Sequence, residues 1–241
     1  MPTNPSDEFA AYDNFTVEDA KKDREAIDDN ANANSRLLGK LAEGLTTLRV
    51  LPGRPGKPPF RIAFKHFFQV GGENVSFYCP RMEAKQKCRA CTEAAQLMAS
   101  SSDLDQKMGK KMRVSQKFLA NVLVRGKEDV LGVKVWEGSS KQHEKLLDFR
   151  DRLGVNYTHP LQGQDVSVIR SGTGMETEYS ISLDHNGKSP IARSKSVIRE
   201  TLNAMHDLDS VVNILSAQEI DEKMDGTKRR PERPGTSRGG Q

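Results

Sequence analysis

Residues 60–79 read FRIAFKHFFQVGGENVSFYC, and the fold turns on them. Side chains of a strand alternate between its two faces, so Phe60, Ile62, Phe64, His66 and Phe68 share one side, and Arg61, Lys65 and Phe67 the other. The Gly-Gly pair at 71–72 marks a hairpin turn, after which NVSFYC returns antiparallel. That return brings Cys79 close to His66. A lone imidazole on an apolar strand face usually hydrogen-bonds to backbone. Here its neighbourhood suggests otherwise.

The chain has three cysteines, and all of them fall in CPRMEAKQKCRAC, residues 79–91. Cys88 and Cys91 have the C-x2-C spacing of a turn that wraps a zinc ion, and Cys79 lies nine positions before Cys88. With His66 as fourth ligand the set is His66, Cys79, Cys88 and Cys91: three thiolates and one imidazole. The competing reading is a chance cluster of small apolar residues. Four protein ligands leave no open coordination position, so one structural zinc is expected rather than a catalytic one. The zinc-deaminase pattern is also missing, because Phe67 and Phe68 follow His66 and Lys87 precedes Cys88. An odd, clustered cysteine count argues against a disulfide framework and for a reducing, cytoplasmic setting.

In 241 residues, hydrophobic side chains make up 35% and charged ones 29%. This suits one large domain with arms, or two small ones, with a modest core. No apolar run is long enough to span a bilayer, and the acidic start MPTNPSDEFAAYDNF has no secretory apolar region, so no membrane association is expected. The net charge of +4 hides an asymmetry. Residues 1–30 hold nine acids against three bases, a net of −6, and residues 227–241 hold five bases against one acid, a net of +4. The remainder, 31–226, is therefore +6. Two stretches within it contain no acid: 44–72, with Arg49, Arg54, Lys57, Arg61 and Lys65, and 107–127, with Lys107, Lys110, Lys111, Arg113, Lys117, Arg125 and Lys127. Acid-free basic stretches in a chain with 33 acids point to an anionic partner. Ordinary solvated faces are the plainer alternative.

Seven strands are expected: TTLRVL, FRIAFKHFFQV, NVSFYC, KFLANVLV, LGVKVWEG, DVSVIR and EYSISL, divided by PGRPGKPP, GGEN and SGTG. A helix should follow Cys91 in TEAAQLMAS. A second should open at a Ser139…Gln142 capping box, carry Leu146, Leu147 and Leu153, and stop at Gly154. Helical spacing returns within 196–224 through Ile198, Leu202 and Met205, with another box at Ser216…Glu219. Residues 1–35 read as a flexible acidic arm, 36–226 as the folded core and 227–241 as a disordered basic tail. Short strands broken by helices give a mainly β, α+β class, and suit a Greek-key barrel of the OB type.

Taken in order, LRVLPGRPGKPPFRIAFKHFF, the cysteines, KKMRVSQKFLANVLV, GVKVWEGSSKQHEKLL and SVIRETLNAMHDLDSVV resemble the T-even-phage-type single-stranded DNA-binding, or helix-destabilising, proteins over roughly residues 40–226. The resemblance implies an OB-fold core with an inserted zinc subdomain at about 60–100. It also implies a basic cleft for single-stranded DNA in phage replication, recombination and repair. His66, Cys79, Cys88 and Cys91 match the zinc ligands, Lys110, Lys111 and Arg113 the basic run along the cleft, and Phe118 falls where the family has aromatic residues. Self-association along DNA is implied too, as are polymerase, helicase-loader and recombinase partners. Both ends depart from the family: its basic N-terminus is acidic here, and its acidic tail is basic here. The acidic arm is therefore expected to do the regulatory work of a relative's tail, by competing for the cleft or by pairing with a neighbouring subunit's basic surface; arms that merely solubilise the chain are the plainer alternative.

A sequence-independent single-strand binder needs cations along the phosphates and aromatic faces for the bases. Phe67 is the first candidate, because Arg61 and Lys65 on its face imply water there. Lys117, Phe118, Trp136 and Tyr179 complete the expected contacts, although core packing is the better reading of each of these three aromatics taken alone. A zinc-stapled protein-interaction or transcription accessory module is the second reading, and it would not need two acid-free stretches. An enzyme ranks third: no Walker A loop, nucleophile elbow or paired-carboxylate motif occurs.

Overall fold

The computed structural model describes residues 36–225. The expectations for the acidic arm and the basic tail fall outside them. The described chain is mixed α and β, built on one seven-stranded antiparallel sheet. Its strands are β1 (Gly44–Val50), β2 (Phe60–Val70), β3 (Glu73–Tyr78), β4 (Ser115–Val124), β5 (Lys134–Ser139), β6 (Gly163–Ser171) and β7 (Glu178–Ser189). Each coincides with one of the seven apolar or alternating segments of the sequence.

The order along the sheet is β3-β2-β4-β1-β6-β7, with β5 also paired to β4. β4 is the seam. β5 lies along one edge of it (Lys117↔Ser139 to Val122↔Lys134), and β2 and β1 follow each other along the other (Phe60↔Ala120, then Val50↔Val122). PGRPGKPP, between β1 and β2, interrupts what is otherwise one long run along that edge. The burial of β4 follows from this position: every residue from Phe118 to Val124 is buried. At 71–72 the hairpin closes through two glycines with φ of +58° and +88°, a two-residue turn with both positions left-handed, which side chains other than Gly resist.

Helices fill the intervals: α1 (Pro80–Ala84), α2 (Arg89–Ala99), α3 (Asp103–Met112), α4 (Glu128–Leu131), α5 (Ser140–Asp151), α6 (Lys195–Asn203) and α7 (Ala217–Asp225). The Ser139–Gln142 capping box opens α5 as expected, with both reciprocal bonds present. The Ser216–Glu219 box opens α7: Ser216 N donates to the Glu219 carboxylate at 2.7 Å and Glu219 N to Ser216 Oγ at 3.3 Å. The helical close divides in two, because the chain leaves α6 at Asn203 and turns through 206–212 before α7 begins. α3 has no counterpart among the helices expected from the sequence. Ser102 caps it by accepting from Asp105 N, and Gly109 lets it press on α2. A Cβ at Gly109 would stand 2.8 Å from Ala94 O and 2.9 Å from Met98 Cγ.

Apolar side chains gather in three clusters. The largest lies under the middle strands and α5, with Leu48, Phe118, Val122, Trp136, Leu146, Phe149 and Val166. A second holds the hairpin, α2 and α3 together through Phe68, Val75, Phe77, Cys79, Cys88, Ala94 and Met112, and takes in Ile220 and Met224 of α7. The third, with Leu51, Leu123, Val133, Ile191, Ile198 and Met205, covers the end of the opposite sheet face. Arg49 ties β1 to β6 and β7: fully buried, its Nε donates to Asp165 at 2.6 Å and its Nη2 to Ser189 O at 2.8 Å.

Candidate metal centre and nucleic-acid interface

His66, Cys79, Cys88 and Cys91 converge, their ligand atoms all within 4.8 Å of one another. Three local structures deliver them. His66 projects from β2 toward the second apolar cluster and Cys79 follows β3 as the residue that starts α1, with Cys79 N donating to Phe64 O at 2.8 Å. Cys88 starts α2 and Cys91 lies in its first turn, so C-x2-C wraps a helix N-terminus. Lys85, left-handed at φ +56°, ends α1 and reverses the chain between the two.

Cys79 Sγ is 3.5 Å from Cys91 Sγ, and His66 Nε2 is 3.4 Å from Cys88 Sγ and 3.5 Å from Cys91 Sγ. Ligands about 2.0–2.3 Å from a tetrahedral ion such as zinc are separated by roughly 3.5–3.8 Å, and these three contacts lie near that spacing. His66 Nδ1 lies 2.8 Å from Met112 O, which fixes the proton on Nδ1 and turns the Nε2 lone pair to the thiols. Protons are unequally shared among the sulfurs. The hydrogen bond with Cys88 holds the Cys79 thiol down to about 3, while the same contact pushes that of Cys88 up. Burial raises Cys91. Metal ions bind cysteine as thiolate, so taking up a cation here would expel the protons that the sulfurs carry. The four residues can hold one metal ion.

The sheet face opposite His66 is the second candidate site. Antiparallel register places Arg61, Lys65 and Phe67 of β2 on one side with Ser115, Lys117 and Leu119 of β4 and Glu137 and Ser139 of β5. The third apolar cluster covers the far part of this side and leaves the near part open. There Phe67 stands 58% exposed. Lys117 is half-buried on the same side, opposite Ala63, and Lys107, Lys110, Lys111 and Arg113, on α3 and the residue after it, are exposed with no acidic partner among the described residues.

Other expected contacts are placed differently. Phe118 and Trp136 offer no face to a base: both are buried in the main core, stacked edge to face at 5.0 Å, with His143 against Phe118 at 5.3 Å. The reason is the seam position of β4, which is covered on both faces. Its apolar run FLANVLV is the signal, since a strand buried on both sides does not alternate. Tyr179 is 38% exposed but stands away from Phe67, in a groove of about 550 Å³ between α5 and β7 with Lys141 and Lys145. The groove starts at Ser139, whose register partner is Lys117.

The basic stretch 44–72 is acid-free in sequence but not in space. Arg61 Nη2 donates to Glu83 at 2.7 Å and its Nε to Asp209 at 3.2 Å, and Lys65 donates to Glu137 at 2.8 Å and lies over the Tyr78 ring. Glu83, Glu137, Asp207 and Asp209 are the residues that reading the sequence locally could not attach to this surface. The 107–117 run keeps its charge free.

The family described as gp32 DNA binding protein like matches residues 42–229. The chain belongs to that family. The match spans the whole described sheet, the four metal-site residues and the basic run, and agrees with the resemblance in the motifs from LRVLPGRP to HDLDSVV. This is a DNA-binding family rather than a class of enzymes. No curated protein matches the chain. Among the described residues, no helix is long and apolar enough to cross a membrane.

Proposed function

We propose that this gp32-like protein binds single-stranded DNA without regard to sequence, across the open sheet face around Phe67, and so coats and protects the displaced strand during replication, recombination and repair of a phage genome. The observation that carries the reading is Phe67, a large aromatic side chain 58% exposed on a strand face it shares with Arg61, Lys65 and Lys117. Bases stack on such a ring whatever their identity, at about 1–3 kcal/mol each, while cations follow the phosphates. Lys110, Lys111 and Arg113 extend the cationic path, and Tyr179 with Lys141 and Lys145 offers a continuation beyond Ser139. One structural zinc is the ion best suited to three cysteines and a histidine, and it would hold the hairpin against α2 and α3. An OB-type barrel core of residues 36–226 with a zinc subdomain is part of the same reading, supported by the family match over 42–229 and by the antiparallel sheet, and the two charged arms flanking it are read from the sequence. Self-association along DNA and contacts with polymerase, helicase loader and recombinase belong to the same proposal.

The test is a salt-dependent titration with single-stranded DNA, duplex DNA and single-stranded RNA. Single-stranded DNA should be preferred over duplex, with affinity falling at a log–log slope of roughly −0.7 per phosphate contacted. Phe67→Ala should weaken binding by about 1–3 kcal/mol with unchanged melting temperature. Equal affinity for duplex and single strand would refute the proposal.

A further inference from the structure

The turn after α6 carries two carboxylates onto the part of the basic surface that the open face shares with the β1–β2 connection. Asp209 bridges two cations, with Oδ2 at 2.5 Å from Lys57 Nζ and Oδ1 at 3.2 Å from Arg61 Nε, and Asp207 Oδ1 is 3.9 Å from Lys57 Nζ. These groups, together with Arg54, Phe60 and His206, line a cavity of about 120 Å³. The ion pairs with Lys57 are exposed: side-chain exposure is 54% for Lys57, 43% for Asp207 and 56% for Asp209. Exposed pairs of this kind contribute little to stability, so a polyanion held nearby can displace them at small cost.

The turn itself is held independently of them. Buried Asn121 of β4 grips the His206 peptide from both sides, accepting from His206 N at 2.9 Å and donating to His206 O at 3.0 Å. His206 Nε2 lies 2.9 Å from Val133 O, Ser210 N and Oγ both donate to Asp207 O, and Val211 is buried. A turn with so many anchors does not need the charges of its two acids to stay in place. Arg61 is anchored as well, from its other side, by Glu83, whose side chain is 5% exposed and also accepts from Phe64 N. Losing Asp209 would therefore free the Nε edge of Arg61 without moving it.

We propose that Arg54, Lys57 and Arg61 form a phosphate-binding subsite for the nucleic-acid backbone, occupied in the free protein by the carboxylates of Asp207 and Asp209. The carboxylates stand where phosphate oxygens would lie and must be displaced when a strand extends from the Phe67 face toward the β1–β2 connection. The subsite is thus gated by its own chain: weak anions do not enter it, and a polyanion already held elsewhere does. This inference rests on the single-strand reading above and adds a site to it.

The double variant Asp207→Asn, Asp209→Asn tests it. An asparagine keeps the oxygen by which Asp207 accepts from Asp209 N, so the turn is preserved while both charges go. Oligo(dT) is titrated over a range of salt concentrations with the full-length wild type, the double variant, and the double variant carrying Lys57→Gln. The double variant should bind more tightly at low salt, with a log–log slope steeper by about 0.7 for each phosphate newly engaged. Lys57→Gln should remove most of that gain. Unchanged or weaker binding by the double variant, with the wild type binding normally, would overturn the subsite, even if the melting temperature had fallen. Failure of the wild type itself to bind oligo(dT) would instead overturn the single-strand reading. Should the double variant not fold, Asp207→Asn alone, which among the described residues removes only the ion pair with Lys57 at 3.9 Å, must show about half the slope change or the proposal fails.

Discussion

The two ring nitrogens of His66 face opposite ways, Nδ1 to Met112 O and Nε2 to the thiols, so this residue joins the hairpin to both the cysteine turn and the end of α3. Purified protein should carry about one zinc per chain on a tetrahedral four-ligand site. Cys88→Ser, or chelation, should lower the melting temperature by roughly 5 °C or more, at about 2–4 °C per kcal/mol for a domain of this size. A metal-free protein with unchanged melting would refute the site. Asp165 makes a second residue-scale prediction. It neutralises the fully buried Arg49 at 2.6 Å and also accepts from Arg125 at 2.9 Å. Asp165→Asn leaves Arg49 uncompensated and should cost about 3–5 kcal/mol in denaturant unfolding, whereas Arg125→Gln, on the more exposed side, should cost far less. The clustering of the four candidate ligands is legible in the sequence because it is local, a C-x2-C turn and a hairpin of fixed parity. The partners of Arg61 and Lys65 are not: Asp209 lies 148 residues from Arg61 and Glu137 lies 72 from Lys65, and no pattern in the sequence carries that information.

At the scale of elements, all seven strands can be read from alternation or apolar runs, and two helices from their capping boxes. α3 escapes because DLDQKMGKKM is polar and holds a glycine, which lowers helix propensity by about 1 kcal/mol relative to alanine. Packing supplies what propensity lacks. Gly109 is buried against α2, and the atom nearest a new Cβ there is a backbone oxygen at 2.8 Å. Gly109→Ala therefore gains propensity but forces α2 and α3 apart. Overpacking of this kind costs about 1–3 kcal/mol, so a net loss of stability is expected in thermal melts. Asp184 gives a pH dependence. The Asn186 N–H, with the Ser167 hydroxyl and the Asn186 amide, holds its carboxyl below the ordinary range. A depressed carboxylate contributes stability above its unfolded value, near 4, and that contribution disappears as pH falls through the lower folded value. The melting temperature should drop in that acid range, and Asp184→Asn should flatten the drop.

For the whole molecule, charge is distributed so that one basic run is free and the other is tied down. Lys107, Lys110, Lys111 and Arg113 have no acidic partner among the described residues, while Lys57, Arg61 and Lys65 each have at least one. Charge reversal at Lys110 and Lys111 should therefore reduce the salt slope of DNA binding by about 0.7 for each phosphate no longer engaged, more than reversal at Lys65. Equal effects at the two places would show that the ion pairs open freely. Overall basicity announces an anionic partner, but only the fold shows which bases face water alone. The strand β2 has a consequence of another kind. Its first half, Phe60–Lys65, is bonded to β4, and from His66 to Val70 its only ladder partner is β3. Phe60 and Ile62 pack on the main core and Phe68 on the metal lobe. One continuous strand is thus divided between two guarantors, a packed seam and a four-residue set able to hold one ion. Amide exchange in the chelated protein should speed up from position 66 onward and stay slow before it, a boundary that falls inside a single strand.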